Sequence, residues 1–246
     1  NATSTAITID ASENVGIGTS TELAPLSVAS SAAVTMKLTK LNTVAITGNL
    51  GATLEFNHSQ NAADGADGES TSAIIQAQPV SGWGGILAFS TKNADGVAAN
   101  APTERMRIDS AGRVTMPYQP AFNVYLPPVT QNTTILWGAI RTDIGNNYNT
   151  TTGLFTAPVA GSYHFTASVL VRFGGAGSYI RLLFVINGLS STLFGDTLEN
   201  MAGPSYSSPS LSGTFYLNTG DTLGCIVEGG ETYGPNYGSF SGHLIG

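Results

Sequence analysis

From Tyr163 to Phe173 the chain alternates. Tyr163, Phe165, Ala167, Val169, Val171 and Phe173 share one parity, with His164, Thr166, Ser168 and Arg172 between them and Leu170 as the break. A period of two belongs to a strand, whose side chains point to opposite faces in turn, so this run predicts a long strand with one buried face. Phe122, Val124 and Leu126 alternate in the same way, as do Leu223, Cys225 and Val227. Tyr179–Ile186 differs: Ile180, Leu182, Phe184 and Ile186 are apolar on one parity, while Tyr179, Arg181, Leu183 and Val185 on the other are also largely apolar. Apolar side chains on both faces predict that both faces are covered. One face meets the core, and the other is expected to meet a neighbouring copy, which makes Tyr179, Arg181, Leu183 and Val185 the predicted subunit contact.

Turn-forming residues separate these runs: Asn146-Asn147, Pro158 to Gly161, Gly174 to Gly177, Asn187-Gly188, Asn218 to Asp221 and Gly229-Gly230. No amphipathic helical pattern lies between them. Short strands at this spacing predict an all-β fold, a jelly roll or related sandwich. Nearer the N-terminus, Ile7/Ile9 with Val15/Ile17 and Met106/Ile108 with Val114/Met116 read as two strand–turn–strand units, each with Ile-Asp before the turn. Val44 to Phe56, Ala73 to Gln78 and Gly85 to Ser90 read as further strands, separated by loops at 57–72 and 93–102.

Composition divides the chain. Residues 1–117 hold three aromatics, Phe56, Trp83 and Phe89, and all three lysines; residues 118–246 hold the other eighteen aromatics. A boundary is expected at Met116-Pro117-Tyr118-Gln119-Pro120. The second part has the rings to build its own core. The first, rich in Ala, Gly, Ser and Thr, has little to bury as an isolated globule, and a lone hairpin is marginal in water. Two resolutions follow, disorder or burial against other copies; the second is expected, as an elongated β-rich shaft of hairpins in which several copies cover one another.

Charge narrows the function. Only 10 % of residues are charged, the net charge is −7 and the pI about 4.7. Such a chain offers no cationic track for nucleic acid and no basic patch for membranes, and no apolar run reaches the ~18 residues of a membrane span. The single cysteine, Cys225, closes no intrachain disulfide and reads as a buried small hydrophobe. Asn1 is not a start methionine, so upstream sequence is expected. Candidate chemistry is sparse. His58, His164 and His243 lack a second ligand at metal spacing. The acidic stretch Ala62 to Glu69 lacks the twelfth-position glutamate of a helix–loop–helix calcium site. Glu228 and Glu231 flank a Gly-Gly turn, and as a glycosidase pair they are outweighed by a solvated turn. No cofactor, metal or enzymatic activity is expected.

Ordered motifs carry a resemblance. Ile144-Gly145-Asn146-Asn147-Tyr148-Asn149, then Thr152-Gly153-Leu154-Phe155-Thr156-Ala157-Pro158-Val159-Ala160-Gly161-Ser162-Tyr163-His164-Phe165, Leu217-Asn218-Thr219-Gly220-Asp221 and Ser239-Phe240-Ser241-Gly242-His243-Leu244 resemble the signature of the complement C1q globular head family over roughly 120–246. The resemblance implies a ten-stranded, tumour necrosis factor-like jelly roll, a homotrimer, and ligand binding without catalysis. No collagen Gly-X-Y period precedes residue 120, in departure from many such heads. Instead Val15-Gly16-Ile17-Gly18-Thr19 and Glu104-Arg105-Met106-Arg107-Ile108-Asp109-Ser110-Ala111-Gly112-Arg113-Val114 resemble phage tail-fibre segments.

Together these imply a bacteriophage-type tail fibre on the virion. Residues 1–117 form its shaft and 118–246 a knob that binds a host-surface glycan or protein receptor, and other tail proteins are met through upstream sequence. The alternative is a structural head fibre or capsid-decoration protein. If first and last strands of the knob pair antiparallel, the loop Gly229 to Gly238 lies at the end away from residue 120. It carries Glu231, Tyr233, Asn236 and Tyr237 as the candidate receptor contacts, with the loop Pro127 to Thr133 also pointing outward; the equal alternative is a merely exposed loop with Tyr233 or Tyr237 packing at the trimer interface. Rings suit sugar faces and amides suit hydroxyls.

Overall fold

The computed structural model describes residues 7–9, 15–17, 26–28, 53–60, 68–80, 84–93, 101–129, 132–172, 179–188, 193–200 and 206–246. All their regular structure is β. The chain divides into two units, Asn1–Val114 and Thr115–Gly246.

In the first unit, β1 (Ile7–Ile9) pairs antiparallel with β2 (Val15–Ile17), Ile7 opposite Ile17, and β3 (Leu26–Val28) runs parallel to β2. A second sheet is a meander of β4 (Thr53–Gln60), β5 (Gly68–Pro79), β6 (Gly85–Thr91), β7 (Thr103–Ile108) and β8 (Val114–Thr115). Strands extend into the segment expected to be a loop at 57–72, so His58 stands on β4. Residues 62–67 of the acidic stretch and 44–52 of the strand predicted from Val44 to Phe56 lie outside the described residues. The β7–β8 turn shows what the Ile-Asp phrase does. The Asp109 carboxylate accepts the backbone N–H of Ala111 (2.9 Å) and of Arg113 (3.0 Å), and Gly112 supplies the left-handed φ of +80°.

Register sorts the faces of this sheet. Leu54, Ile75, Phe89 and Met106 stand in one row and Ala77, Leu87 and Ile108 in another, all on one face. The opposite face carries Glu55, Gln76, Ser90, Glu104 and Arg107, with Ile74 and the buried Ala88 among them. The apolar face is open: Leu54 is 41 % exposed, Phe56 49 % and Leu87 37 %.

The second unit is a jelly-roll sandwich. Its strands are β9 (Ala121–Tyr125), β10 (Thr133–Thr134), β11 (Ala139–Ile144), β12 (Tyr148–Asn149), β13 (Leu154–Thr156), β14 (Gly161–Val169), β15 (Val171–Arg172), β16 (Tyr179–Ile186), β17 (Leu193–Asn200), β18 (Tyr206–Ser207), β19 (Ser210–Leu217), β20 (Thr222–Glu228), β21 (Glu231–Thr232) and β22 (Gly238–Leu244). One sheet has the order β11-β9-β22-β14-β19 and the other β12-β13-β20-β16-β17, ten strands in two layers, with β10 added beside β20. The alternation from Tyr163 is realised: Tyr163, Phe165, Ala167, Val169 and Val171 are buried. Phe122 stacks on Phe155 (ring centroids 5.0 Å) and meets Phe240 edge-on (4.8 Å). Each fully buried ring of this kind contributes about 1.5–3 kcal/mol by leaving water. The corner before β14 is tied by the Tyr163 hydroxyl, which donates to the Val159 carbonyl at 2.8 Å. Cys225 is fully buried, and burial pushes its thiol pKa up.

β16 carries apolar residues on both faces, as its sequence implies. Leu182 and Phe184 enter the main core, whereas Leu183 and Val185 form a small separate cluster with Ile226 of β20, directly opposite Leu183. Leu183 is 0 % exposed and Val185 5 % within a single copy. These two are thus withdrawn from solvent already within one copy. Of the four predicted contact residues, Tyr179 is exposed, and Arg181 is half-buried and ion-paired with Glu228 at 3.2 Å.

Candidate functional site

The ends of the sandwich are set by its first and last strands. β9 and β22 pair antiparallel, Ala121 opposite His243 and Tyr125 opposite Ser239. The Leu244 N–H donates to the Pro120 carbonyl (3.0 Å), and the Ser162 N–H to the Gly246 carbonyl (2.8 Å). Chain entry and exit thus share one end, and the segment 229–238 between β20 and β22 lies at the other.

That segment is held at several points. Glu231–Thr232 is a strand, β21, rather than loop, and β15 pairs with both β21 and β18 in a small sheet of its own. Beyond it, the Tyr233 N–H donates to the Leu170 carbonyl (2.9 Å) and the Leu170 N–H to the Tyr237 carbonyl (2.7 Å). Leu170, the break in the alternation, sits between β14 and β15, where its backbone groups are free to clasp both ends of the loop. Within the clasp, Gly234 (φ +80°) and Asn236 (φ +76°) take left-handed conformations that suit these two residue types. The loop after β9 supports it from behind. The buried Thr232 hydroxyl donates to the Pro128 carbonyl, and Asn132 Oδ1 accepts the Gly229 N–H at 3.0 Å.

Three tyrosines converge on this frame. Tyr206 and Tyr233 meet edge-on with centroids 4.8 Å apart at 77°, and Tyr233 and Tyr237 lie 5.8 Å apart at 48°. They are 53 %, 41 % and 52 % exposed. Bonding to Tyr233 pushes the Tyr206 phenol pKa up. Arg172 faces Glu231 across β15 and β21 and pairs with its carboxylate. That hydrogen bond, and then the carboxylate's charge, raises the Arg172 pKa. Of the predicted receptor contacts, Glu231, Tyr233, Asn236 and Tyr237 all lie at this end. Arg172 and Tyr206 join them and were not anticipated. Arg172 was read only as the polar parity of a strand, and Tyr206 reaches the site through pairing with β15, which no local pattern announces.

The two acids each have a cationic partner of their own. Glu228 is tied to Arg181 and Glu231 to Arg172, so neither stands as a free carboxylate facing the other. His164 and His243 do come together, opposite one another across β14 and β22 with centroids 5.7 Å apart. Thr214 and Ser212 hydroxyls hold the two ring nitrogens of His164 at 3.1 and 3.0 Å. Among the described residues no three His, Cys, Asp or Glu side chains gather as metal ligands.

Comparison with known proteins bears on the second unit. Residues 121–245 match the C1q domain family. Complement C1q tumor necrosis factor-related protein 3 of Homo sapiens is 32 % identical over 117 residues, 47 % of this chain and 46 % of that protein. Its Mus musculus counterpart is 31 % identical over the same shares. The chain thus spans about half the length of these curated relatives. The solved globular domain of zebrafish complement 1qA protein has a TM-score of 0.42 and 18 % identity, covering 52 % of this chain and 98 % of that one.

Proposed function

The chain belongs to the C1q domain family, and we propose that it is a non-catalytic, homotrimeric virion fibre protein that attaches to a host-cell surface through the far end of its C-terminal domain. The observation that carries the attachment is the clasped loop. Three exposed aromatic side chains are held in place at the end opposite chain entry, where they give the fold little and are presented outward. Attachment needs such a rigid, exposed surface, because a preordered loop loses less entropy on binding. The fibre reading is supported by the open apolar face of β4–β8, which several copies would cover, and by the tail-fibre-like phrases that border it. Replacing Tyr233 and Tyr237 together with alanine is expected to abolish adsorption to host cells while the light-scattering mass stays trimeric. Unchanged adsorption by that variant overturns the role of this end.

The human and mouse relatives favour a second reading, an animal-type C1q module that binds a partner without any particle. Labelling with an antibody against the chain separates the two. Gold on fibres of intact particles supports the first, and none on any particle favours the second.

A further inference from the structure

We propose that Tyr206, Tyr233 and Tyr237, bordered by the Arg172–Glu231 pair, form a subsite for a neutral pyranose, the terminal sugar of a surface glycan. This rests on the reading that the far end of the domain is the binding face, and it names the chemistry recognised there.

The ring geometry is the first support. The three rings are tilted by 77° and 48° rather than stacked upon one another, so an edge contact takes up at most one face of a ring and leaves the other. Each keeps roughly half its surface in water. A pyranose presents a face of C–H groups that lies on such a ring, and a rim of hydroxyls that both donate and accept. The border supplies both partners: the guanidinium donates, the carboxylate accepts, and the phenols do either. Asn236, exposed in the same clasped loop, adds an amide.

Charge is the second support. Arg172 is neutralised by Glu231, and the chain as a whole carries −7. A phosphate, a sulfate or a sugar acid would meet no uncompensated cation here and would be repelled at long range. An uncharged ligand suffers neither penalty. The ordering of the loop is the third support. Leu170 fixes both ends of the segment, so the rings are in place before any ligand arrives.

The test is saturation-transfer NMR on the intact chain with four probes in turn: methyl β-D-galactopyranoside, methyl α-D-mannopyranoside, N-acetylneuraminic acid and choline. A neutral pyranoside is expected to show transfer, strongest at its ring C–H protons. Tyr237→Ala should weaken it roughly three- to tenfold, the worth of one aromatic contact, while Tyr237→Phe stays within about twofold. Unchanged circular dichroism confirms that each variant is folded. The proposal is overturned if neither neutral pyranoside binds, if only the acid or choline binds, if Tyr237→Ala binds as wild type, or if Tyr237→Phe is as weak as the alanine variant. The cell assay keeps the two readings apart. Loss of adsorption without sugar binding removes the pyranose and leaves attachment standing; sugar binding with adsorption unaffected by the tyrosine variants does the reverse.

Discussion

The β4–β8 meander and the β11-β9-β22-β14-β19 sheet of the sandwich are both five-stranded, and both sort apolar from polar residues by register. One closes a core and the other does not. In the sandwich, Phe122, Phe165 and Phe240 are at most 3 % exposed because a second sheet lies over them; in the meander, Leu54, Phe56 and Leu87 remain between 37 % and 49 % exposed. Alternation is thus sufficient to build a sheet and insufficient to bury it. The difference traces to the second layer, and behind that to composition: eighteen aromatics against three.

The largest expected effects break this contrast directly. Phe165→Ala should cost the C-terminal unit about 3–5 kcal/mol, since the cavity it leaves is walled by rings that cannot all collapse. Chemical denaturation followed by near-ultraviolet circular dichroism measures it, and a loss below about 1 kcal/mol would contradict the described core. Leu183→Ala should cost about 2–5 kcal/mol without changing the light-scattering mass, because Leu183 is buried inside its own copy. Phe56→Glu is expected to do the opposite. It should lower the assembled mass while leaving the melting of the C-terminal unit unchanged. A Leu183→Ala protein that dissociates without losing stability would restore that residue to a subunit interface.

A smaller effect is expected at the far end. Gly229 has φ +85°, and a Cβ there would stand 2.2 Å from the Tyr179 carbonyl oxygen, which is backbone and cannot swing aside. Gly229→Ala should cost about 1–3 kcal/mol and loosen the Tyr206–Tyr233–Tyr237 cluster. Faster amide exchange at Tyr233 and Leu170 checks this, and wild-type exchange at both would show that the turn tolerates a side chain.

Much of the sandwich was legible because its signals are local. The parity of Tyr163 to Arg172, the corner from Pro158 to Tyr163 and the terminal phrase Ser239 to Leu244 each need only neighbouring residues to be read, and each is realised as strand or turn. The antiparallel pairing of first and last strands then placed the tyrosine loop at the far end. What was not legible depends on long-range pairing. Leu183 and Val185 mark β16 as apolar on both faces, but a sequence does not say that Ile226 stands beside Leu183 and that both are buried within one copy. Tyr206 and Arg172 are thirty-four residues apart and become neighbours through β15 and β18. The sequence presents His164 and His243 singly, whereas register sets them opposite one another.

The smallest expected effect concerns the turn that ends the meander. The Asp109 carboxylate has its pKa held below the ordinary 3.8, first by the Arg113 backbone N–H and then by the Arg113 side chain. A depressed folded value means that the charged form is the one the turn stabilises. That contribution is present at pH above the unfolded value near 4 and fades as pH falls through the lower folded value. Because the group is solvent-exposed the effect is slight. Asp109→Asn should therefore lower the melting temperature slightly at pH 7, with the gap to wild type closing as pH falls from about 4 toward 2. A gap that persists undiminished at pH 2 would mean that the turn is held by its backbone shape, with Gly112 in its left-handed conformation, and that the carboxylate charge contributes nothing.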